Sequence, residues 1–178
     1  MTPARLHDAA YRMNVDDFVA HVLADVPPLD ELDLTLLDAH GCVLVRDVVA
    51  AESLPAFDRI AYDGYAVRSA DIAAVATGTP VQLHVTGTVE PGTPAGFSVQ
   101  PGMAVRVTAG AAAPGFTETV VPRAWTDDAA PLVTVHRATA AGSGVQRAGA
   151  EVAAGAVVLT AGTYLRSAQI GLLAAVGV

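Results

Sequence analysis

The sequence predicts a mainly β protein with flanking helices, an α+β fold. Three observations carry that prediction. Valine-rich segments of strand length recur at Ala66–Val67, Val81–Val89, Met103–Thr108, Thr119–Pro122, Leu132–Arg137 and Ala156–Leu159. Turn signals separate them, at Glu90-Pro91-Gly92, Gln100-Pro101-Gly102, Ala113-Pro114-Gly115 and Ala141-Gly142-Ser143-Gly144, and short strands punctuated in this way mark a β body. Helical periodicity is confined to the two ends.

Taken in order, residues 1–13 read as a loose leader. Asn14 is a good helix N-cap, and Asp16 and Asp17 fall in the first turn, where the helix dipole favours negative charge. Phe18, Val19, Val22, Leu23 and Val26 follow as one apolar stripe, so a helix is expected over residues 15–26, stopped by Pro27-Pro28. A short strand is expected at Glu31–Leu34 and a helical turn over Leu36–Val45, weakened by Gly41. After the β body, Ser167 is the expected cap of a last helix. Ile170, Leu173 and Val176 supply its stripe and Gly177 its stop. The pattern helix, β body, helix suggests a β domain over residues 51–145 inserted in a small discontinuous α/β domain (30–50 and 146–178), preceded by the leader and first helix (1–29).

Composition narrows the function. With 52% hydrophobic and 16% charged residues among 178, the chain is a folded globular body. A net charge of −8 disfavours nucleic acid and anionic membrane as partners. All ten basic residues are Arg, which excludes lysine Schiff bases, lysine general bases and a P-loop lysine. Cys42 is the only cysteine, so neither an internal disulfide nor a cysteine zinc site is available. The start Met1-Thr2-Pro3 is no signal peptide and Ile170–Val176 is too short to span a bilayer, so a cytoplasmic protein is expected.

Candidate chemistry is sparse. The five histidines, His7, His21, His40, His84 and His136, show no metal-ligand spacing. The stretch Ala109–Gly115 reads as a turn region more readily than as a backbone anion cradle. The densest polar segment is Phe57–Arg68, with two Asp, two Arg and two Tyr. Within it, Asp63-Gly64 is either a simple turn or a carboxylate presented at a loop tip.

That segment also carries a resemblance. Leu54-Pro55-Ala56-Phe57-Asp58, then Ala61 and Asp63-Gly64-Tyr65-Ala66-Val67-Arg68, are similar to the signature L-P-x-F-D-N-S-A-M-D-G-Y-A-V-R of the MoeA/gephyrin family. Pro101-Gly102, Ala104-Val105-Arg106-Val107, Gly110-Ala111, Pro114-Gly115 and Val120-Val121-Pro122 follow the family's second block. Gly149, Gly155, Leu159, Gly162-Thr163 and Ile170-Gly171-Leu172-Leu173-Ala174 follow its third. The three blocks are in order and span roughly residue 14 to the C-terminus.

The resemblance implies the family's N-terminal two-domain region, a coiled β-sheet domain inserted in a small α/β domain. It further implies molybdenum cofactor biosynthesis: insertion of molybdate into adenylylated molybdopterin with Mg²⁺, by a homodimer. Asp63 matches the family's loop carboxylate and is the implied catalytic and metal-binding residue. Thr108, Gly110, Glu151, Arg59 and Tyr62 fall at implied substrate-binding positions. Several of these depart from the pattern: Arg59-Ile60 replaces Asn-Ser, Tyr62 replaces Met, Ala109 stands where Thr is usual with Thr108 one position early, and Glu151 keeps one of two carboxylates. The third domain, which carries most of the pterin and molybdate pocket, would follow Val178. The chain alone is therefore expected to be inactive, with no Mg²⁺ or molybdate bound and the first helix without its usual packing partner. A homodimer, pairing with a full-length family member, or contact with other cofactor-pathway proteins is implied. A degenerate paralogue acting as a scaffold or partner-docking module is the alternative.

Overall fold

A computed structural model describes residues 13–94 and 96–178. The leader therefore lies outside the described residues except for Met13. The chain divides into two compact units, Met1–Leu34 and Thr35–Val178.

In the first unit, helix α1 spans Val15–Ala24. Asn14 caps it as expected, its side chain accepting from the Asp17 N–H at 2.8 Å. The helix ends two residues before the expected stop. None of its residues is buried, and Phe18, Val19, Val22 and Leu23 are each about half exposed. The strand expected at Glu31–Leu34 does not form. Among the described residues that segment joins no β-ladder, and Leu32 is exposed.

In the second unit the helical turn expected over 36–45 stops early. Thr35 starts a turn by accepting from the Asp38 and Ala39 N–H groups. Gly41, at φ +88°, ends it in a left-handed conformation that suits glycine. Residues 42–44 are extended instead, with Leu44 donating to Thr163 and Leu165 to Cys42. Strand β1 (Val48–Val49) continues this pairing with β9 (Val157–Leu159), and β2 (Arg59–Ile60) pairs with β8 (Val145–Gln146). Residues on either side of the central sheet thus bond to each other.

The central sheet has five strands in the order β6-β3-β5-β4-β7: β3 (Gly64–Val67), β4 (Val81–Val89), β5 (Met103–Val107), β6 (Thr119–Pro122) and β7 (Leu132–Val135). Only the β4–β5 pair is parallel. Strand alternation sorts its side chains into two cores. Tyr65, Val67, Leu83, Ala104, Val121, Val133 and Val135 face one, with Ile72 and Val75 packed on it. Ala66, Val89, Val105, Val107 and Val120 face the other.

Strand β4 serves both cores through a bulge. Its register shifts between Val85↔Ala104 and Thr88↔Arg106, so Thr86 and Gly87 stand against Val105 alone. The extra residue moves the following side chains to the opposite face. Leu83 consequently packs in the first core and Val89 in the second, while Thr88 comes level with Arg106.

A 3₁₀ helix, Ser69–Thr77, which the sequence did not signal, carries Ile72 and Val75 into the first core. Their spacing of three suits a helix with three residues per turn. Helix α2 spans Ser167–Ala175, with Arg166 and not Ser167 at its cap. Gln169 decides this by accepting the Arg166 N–H at 3.2 Å, three residues ahead. At the other end Gly177 donates to Ala174 and Val178 to Leu173, the paired bonds of a left-handed glycine stop.

Candidate functional site

Four strand ends meet at one rim of the sheet. Asp63 precedes β3, Glu90 follows β4, Thr108 follows β5, and Arg123 follows β6. They converge because β3 runs antiparallel to β5 and β6 while β4 runs parallel to β5. Asp63, Thr88, Glu90, Arg106, Thr108 and Arg123, with the backbone of Gly64 and Val107, line an open cleft of about 370 Å³.

The Asp63 carboxylate is fixed on one side, where Oδ1 accepts the Ala109 N–H at 2.9 Å. Its carbonyl accepts the Arg123 N–H at 3.2 Å, tying the start of β3 to the end of β6. Gly64 makes this approach possible. A Cβ there would lie 2.1 Å from the Val121 carbonyl oxygen.

The arginines have their own anchor. Arg106 stands opposite Tyr65 across the β3–β5 ladder, and Asp128 reaches both arginines. Its carboxylate accepts from the Tyr65 hydroxyl at 2.8 Å and from Arg123 Nε at 2.6 Å, with Arg106 Nη2 at 3.4 Å. Hydrogen bonds from Arg123 and then from Tyr65 hold the Asp128 carboxyl below the usual carboxylate range. Burial, reinforced by its bond to Asp128, pushes the Tyr65 hydroxyl up to about 12.

The structure brings some of the expected site residues together and separates others. Asp63 and Thr108 share the cleft. Gly110 sits beside it, with φ +85° and its N–H donated to Ile60. The N–H groups of Thr108, Ala109, Gly110 and Ala111 are all donated within the chain, to Val89, Asp63, Ile60 and Thr108. The glycine-rich stretch is therefore a closed turn. Arg59 and Glu151 meet elsewhere: Arg59 Nη2 donates to Gln146 at 2.6 Å and lies 3.4 Å from Glu151, while Gln146 Nε2 donates to the same Glu151 oxygen at 2.7 Å. Tyr62 packs on the second core and donates its hydroxyl to the Val120 carbonyl at 3.0 Å. None of Arg59, Glu151 and Tyr62 lines the cleft.

Sequence reasoning did not single out Thr88, Glu90, Arg123 or Asp128 as site residues. Arg106 was visible only as part of a motif. The available signal was positional, since polar residues that end several strands of one sheet tend to gather at a rim. Using it requires strand order and the β4 bulge, neither of which can be read from spacing.

No group of three or more His, Cys, Asp or Glu side chains suited to a metal occurs among the described residues. Asp63 and Glu90 are the two carboxylates that share the cleft.

Residues 13–177 match the family described as MoeA N-terminal region (domain I and II). The chain belongs to that family. Among MoeA relatives, molybdopterin molybdenumtransferase 1 of Mycobacterium tuberculosis is 37% identical over 179 residues, covering 92% of this chain and 42% of the relative. Molybdopterin molybdenumtransferase of Nostoc is 33% identical, covering 98% of this chain and 41% of the relative. The crystal structure of the molybdopterin biosynthesis MoeA protein from Pyrococcus horikoshii superposes with a TM-score of 0.81 at 33% identity, over 87% of this chain and 41% of that one. The chain thus spans about two fifths of the length of these relatives. Its first MoeA-like block includes β3 with the preceding Asp63, its second runs from β5 through the turn that follows to β6, and its third reaches β9 and α2. No helix among the described residues is long and apolar enough to cross a membrane.

Proposed function

We infer that this chain acts in molybdenum cofactor biosynthesis as the N-terminal part of a molybdopterin molybdenumtransferase, which inserts molybdate into adenylylated molybdopterin. The observation that carries the reading is the cleft at the sheet rim. The carboxylate of the family-like Asp63-Gly64-Tyr65 block is held there by a backbone N–H, beside a second carboxylate and two guanidinium groups. Pairing as a homodimer or with a complete family member, in the cytoplasm, belongs to the same reading.

The donor set fits Mg²⁺, a hard cation that takes oxygen ligands and is commonly held by one or two carboxylates together with substrate phosphates. Asp63 and Glu90 would hold it. When bound, Mg²⁺ would supply positive charge to substrate oxygens that gain negative charge during the reaction. The chain's own part is to orient Asp63 through the Ala109 N–H and to line the same cleft with Arg106 and Arg123. Molybdate and the pterin enter as substrates.

Residues 13–177 would test this when exchanged for the matching region of the Mycobacterium tuberculosis molybdenumtransferase. The chimera should release AMP from adenylylated molybdopterin in a molybdate-dependent way, and Asp63→Ala should abolish that release. A chimera that folds and dimerises but is inactive would overturn the reading.

One observation favours the alternative of a partner-docking paralogue. Glu151, the carboxylate retained from the third block, is engaged by Arg59 and Gln146. Under that reading an inactive chimera would still bind a complete family member.

A further inference from the structure

Asp128 is not among the residues that line the cleft, yet its carboxylate contacts two that are, Arg106 and Arg123. Oδ1 accepts from the Tyr65 hydroxyl at 2.8 Å, and Oδ2 accepts from Arg123 Nε at 2.6 Å. Arg106 Nη2 stands 3.4 Å from Oδ1 and 3.5 Å from Oδ2. One carboxylate therefore ties together β3, β5 and the segment after β6.

The carboxylate is itself held in place. Asp128 has φ +54°, a left-handed conformation that Asp tolerates better than most residues. Its N–H donates to Thr126 Oγ1 at 3.1 Å. The neighbouring Asp127 accepts from the Ala129 and Thr134 N–H groups at 3.2 and 2.9 Å. Tyr65, at 1% exposure, backs the arrangement from the core. Among the described residues no hydrogen bond uses Arg106 Nε or the Nη1 of either arginine. Each guanidinium is thus oriented on one side and open on the other.

We propose that Asp128 is a positioning residue, holding Arg106 and Arg123 as a paired guanidinium clamp for a phosphate group whose divalent cation is carried by Asp63 and Glu90. The charges favour this ligand. Two guanidinium groups stand against the three carboxylates of Asp63, Glu90 and Asp128, so a bare anion meets a net negative site, whereas a cation–phosphate pair is matched at both ends. Planar guanidinium forks suit phosphate oxygens, and Mg²⁺ shares its ligands between carboxylates and phosphates. The proposal rests on reading the cleft as a substrate site and names the group the arginines would hold there.

Removing the charge of Asp128 separates positioning from simple electrostatics, because the two predict opposite signs. If charge alone governed the arginines, Asp128→Asn would bind an anion more tightly. If positioning governs, the freed side chains must be ordered on binding and affinity falls. The probe is inorganic phosphate, titrated into the full chain with and without Mg²⁺ and followed through the arginine Nε–H resonances and by calorimetry. The unaltered chain is expected to show saturable binding only with Mg²⁺. Asp128→Asn should weaken binding about fivefold, the range set by releasing two long side chains. Arg123→Gln, which changes an exposed side chain and keeps the Asp128 carboxylate, should weaken it about tenfold, as for loss of a charge-assisted hydrogen bond.

Equal or tighter phosphate binding by Asp128→Asn would overturn the positioning role. Binding without Mg²⁺, or none by the unaltered chain, would overturn the clamp. Molybdate binding as tight as phosphate would overturn the choice of phosphate. An inactive chimera alongside intact Mg²⁺-dependent phosphate binding would instead sink the transferase reading and leave the clamp standing.

Discussion

Tyr65→Phe removes one oxygen from the first core and should leave a signature in both stability and its pH dependence. The hydroxyl donates to Asp128 at 2.8 Å from a residue 1% exposed. Hydrogen bonds to charged groups contribute about 1.5–3 kcal/mol. Asp128 keeps its bonds to the arginines in the variant, so the loss should be near the lower end, about 1.5 kcal/mol at neutral pH. For a chain of this size that lowers Tm by roughly 3–6 °C.

The linkage has a definite sign. The Tyr65 pKa is pushed up to about 12, chiefly by burial, against an unfolded value of about 10. The folded state holds this proton more tightly, so the contribution is complete below about pH 10 and is lost as pH rises through the folded value near 12. Two pKa steps correspond to roughly 3 kcal/mol. The advantage of the unaltered chain over Tyr65→Phe should therefore shrink as pH rises from about 10 toward about 12. Urea unfolding of both proteins at matched pH measures the difference, and other tyrosines and arginines cancel in it. A stability difference that stays constant between about pH 9 and 11.5 would refute the reasoning.

The remaining expectations are more local. Gly64→Ala should destabilise the second unit by about 3 kcal/mol or more, because backbone and not a flexible side chain blocks its Cβ; a midpoint in urea within error of the unaltered protein would contradict that. Gly87→Ala places a Cβ 2.5 Å from the Phe97 ring, which costs about 1–3 kcal/mol for overpacking, and Phe97→Ala in the same chain should recover part of it in a double-mutant cycle. Asp128→Asn should flatten the acid limb of the stability curve. The carboxyl is held low mainly by Arg123, so its contribution is present above the unfolded pKa and lost as pH falls through the folded one. Equal acid limbs for the two proteins would show that the bond to Arg123 adds nothing. Calorimetry of the chain with molybdate alone should give no saturable heat, and micromolar binding would mean that these residues already form a molybdate site.

Local chemistry made much of the backbone legible. The Asn14 cap and the strands Val81–Val89 and Thr119–Pro122 follow from composition over a few residues, and the structure keeps them. The left-handed stop at Gly177 was visible for the same reason, since only the φ preference of one residue is involved. Segments whose conformation depends on a distant partner were not legible. Glu31–Leu34 has strand-like residues but joins no ladder among the described residues, whereas residues 42–44, expected within a helical turn, are drawn out by Thr163 and Leu165.

The site divides in the same way. Asp63 could be singled out because a carboxylate before Gly64-Tyr65-Ala66 resembles a compact signature of the family. Glu90, Arg123 and Asp128 could not, because each becomes part of the rim only through the order β6-β3-β5-β4 and the loop that returns Asp128 to Tyr65. Thr88 shows the limit most clearly: an extra residue in β4 moves it to the Arg106 side of the sheet. Sequence alone determined which residues favour helix, strand or turn, since those preferences arise within a few bonds. Only the tertiary structure decided which charges meet, because that depends on strand order and register, to which residues tens of positions apart contribute together.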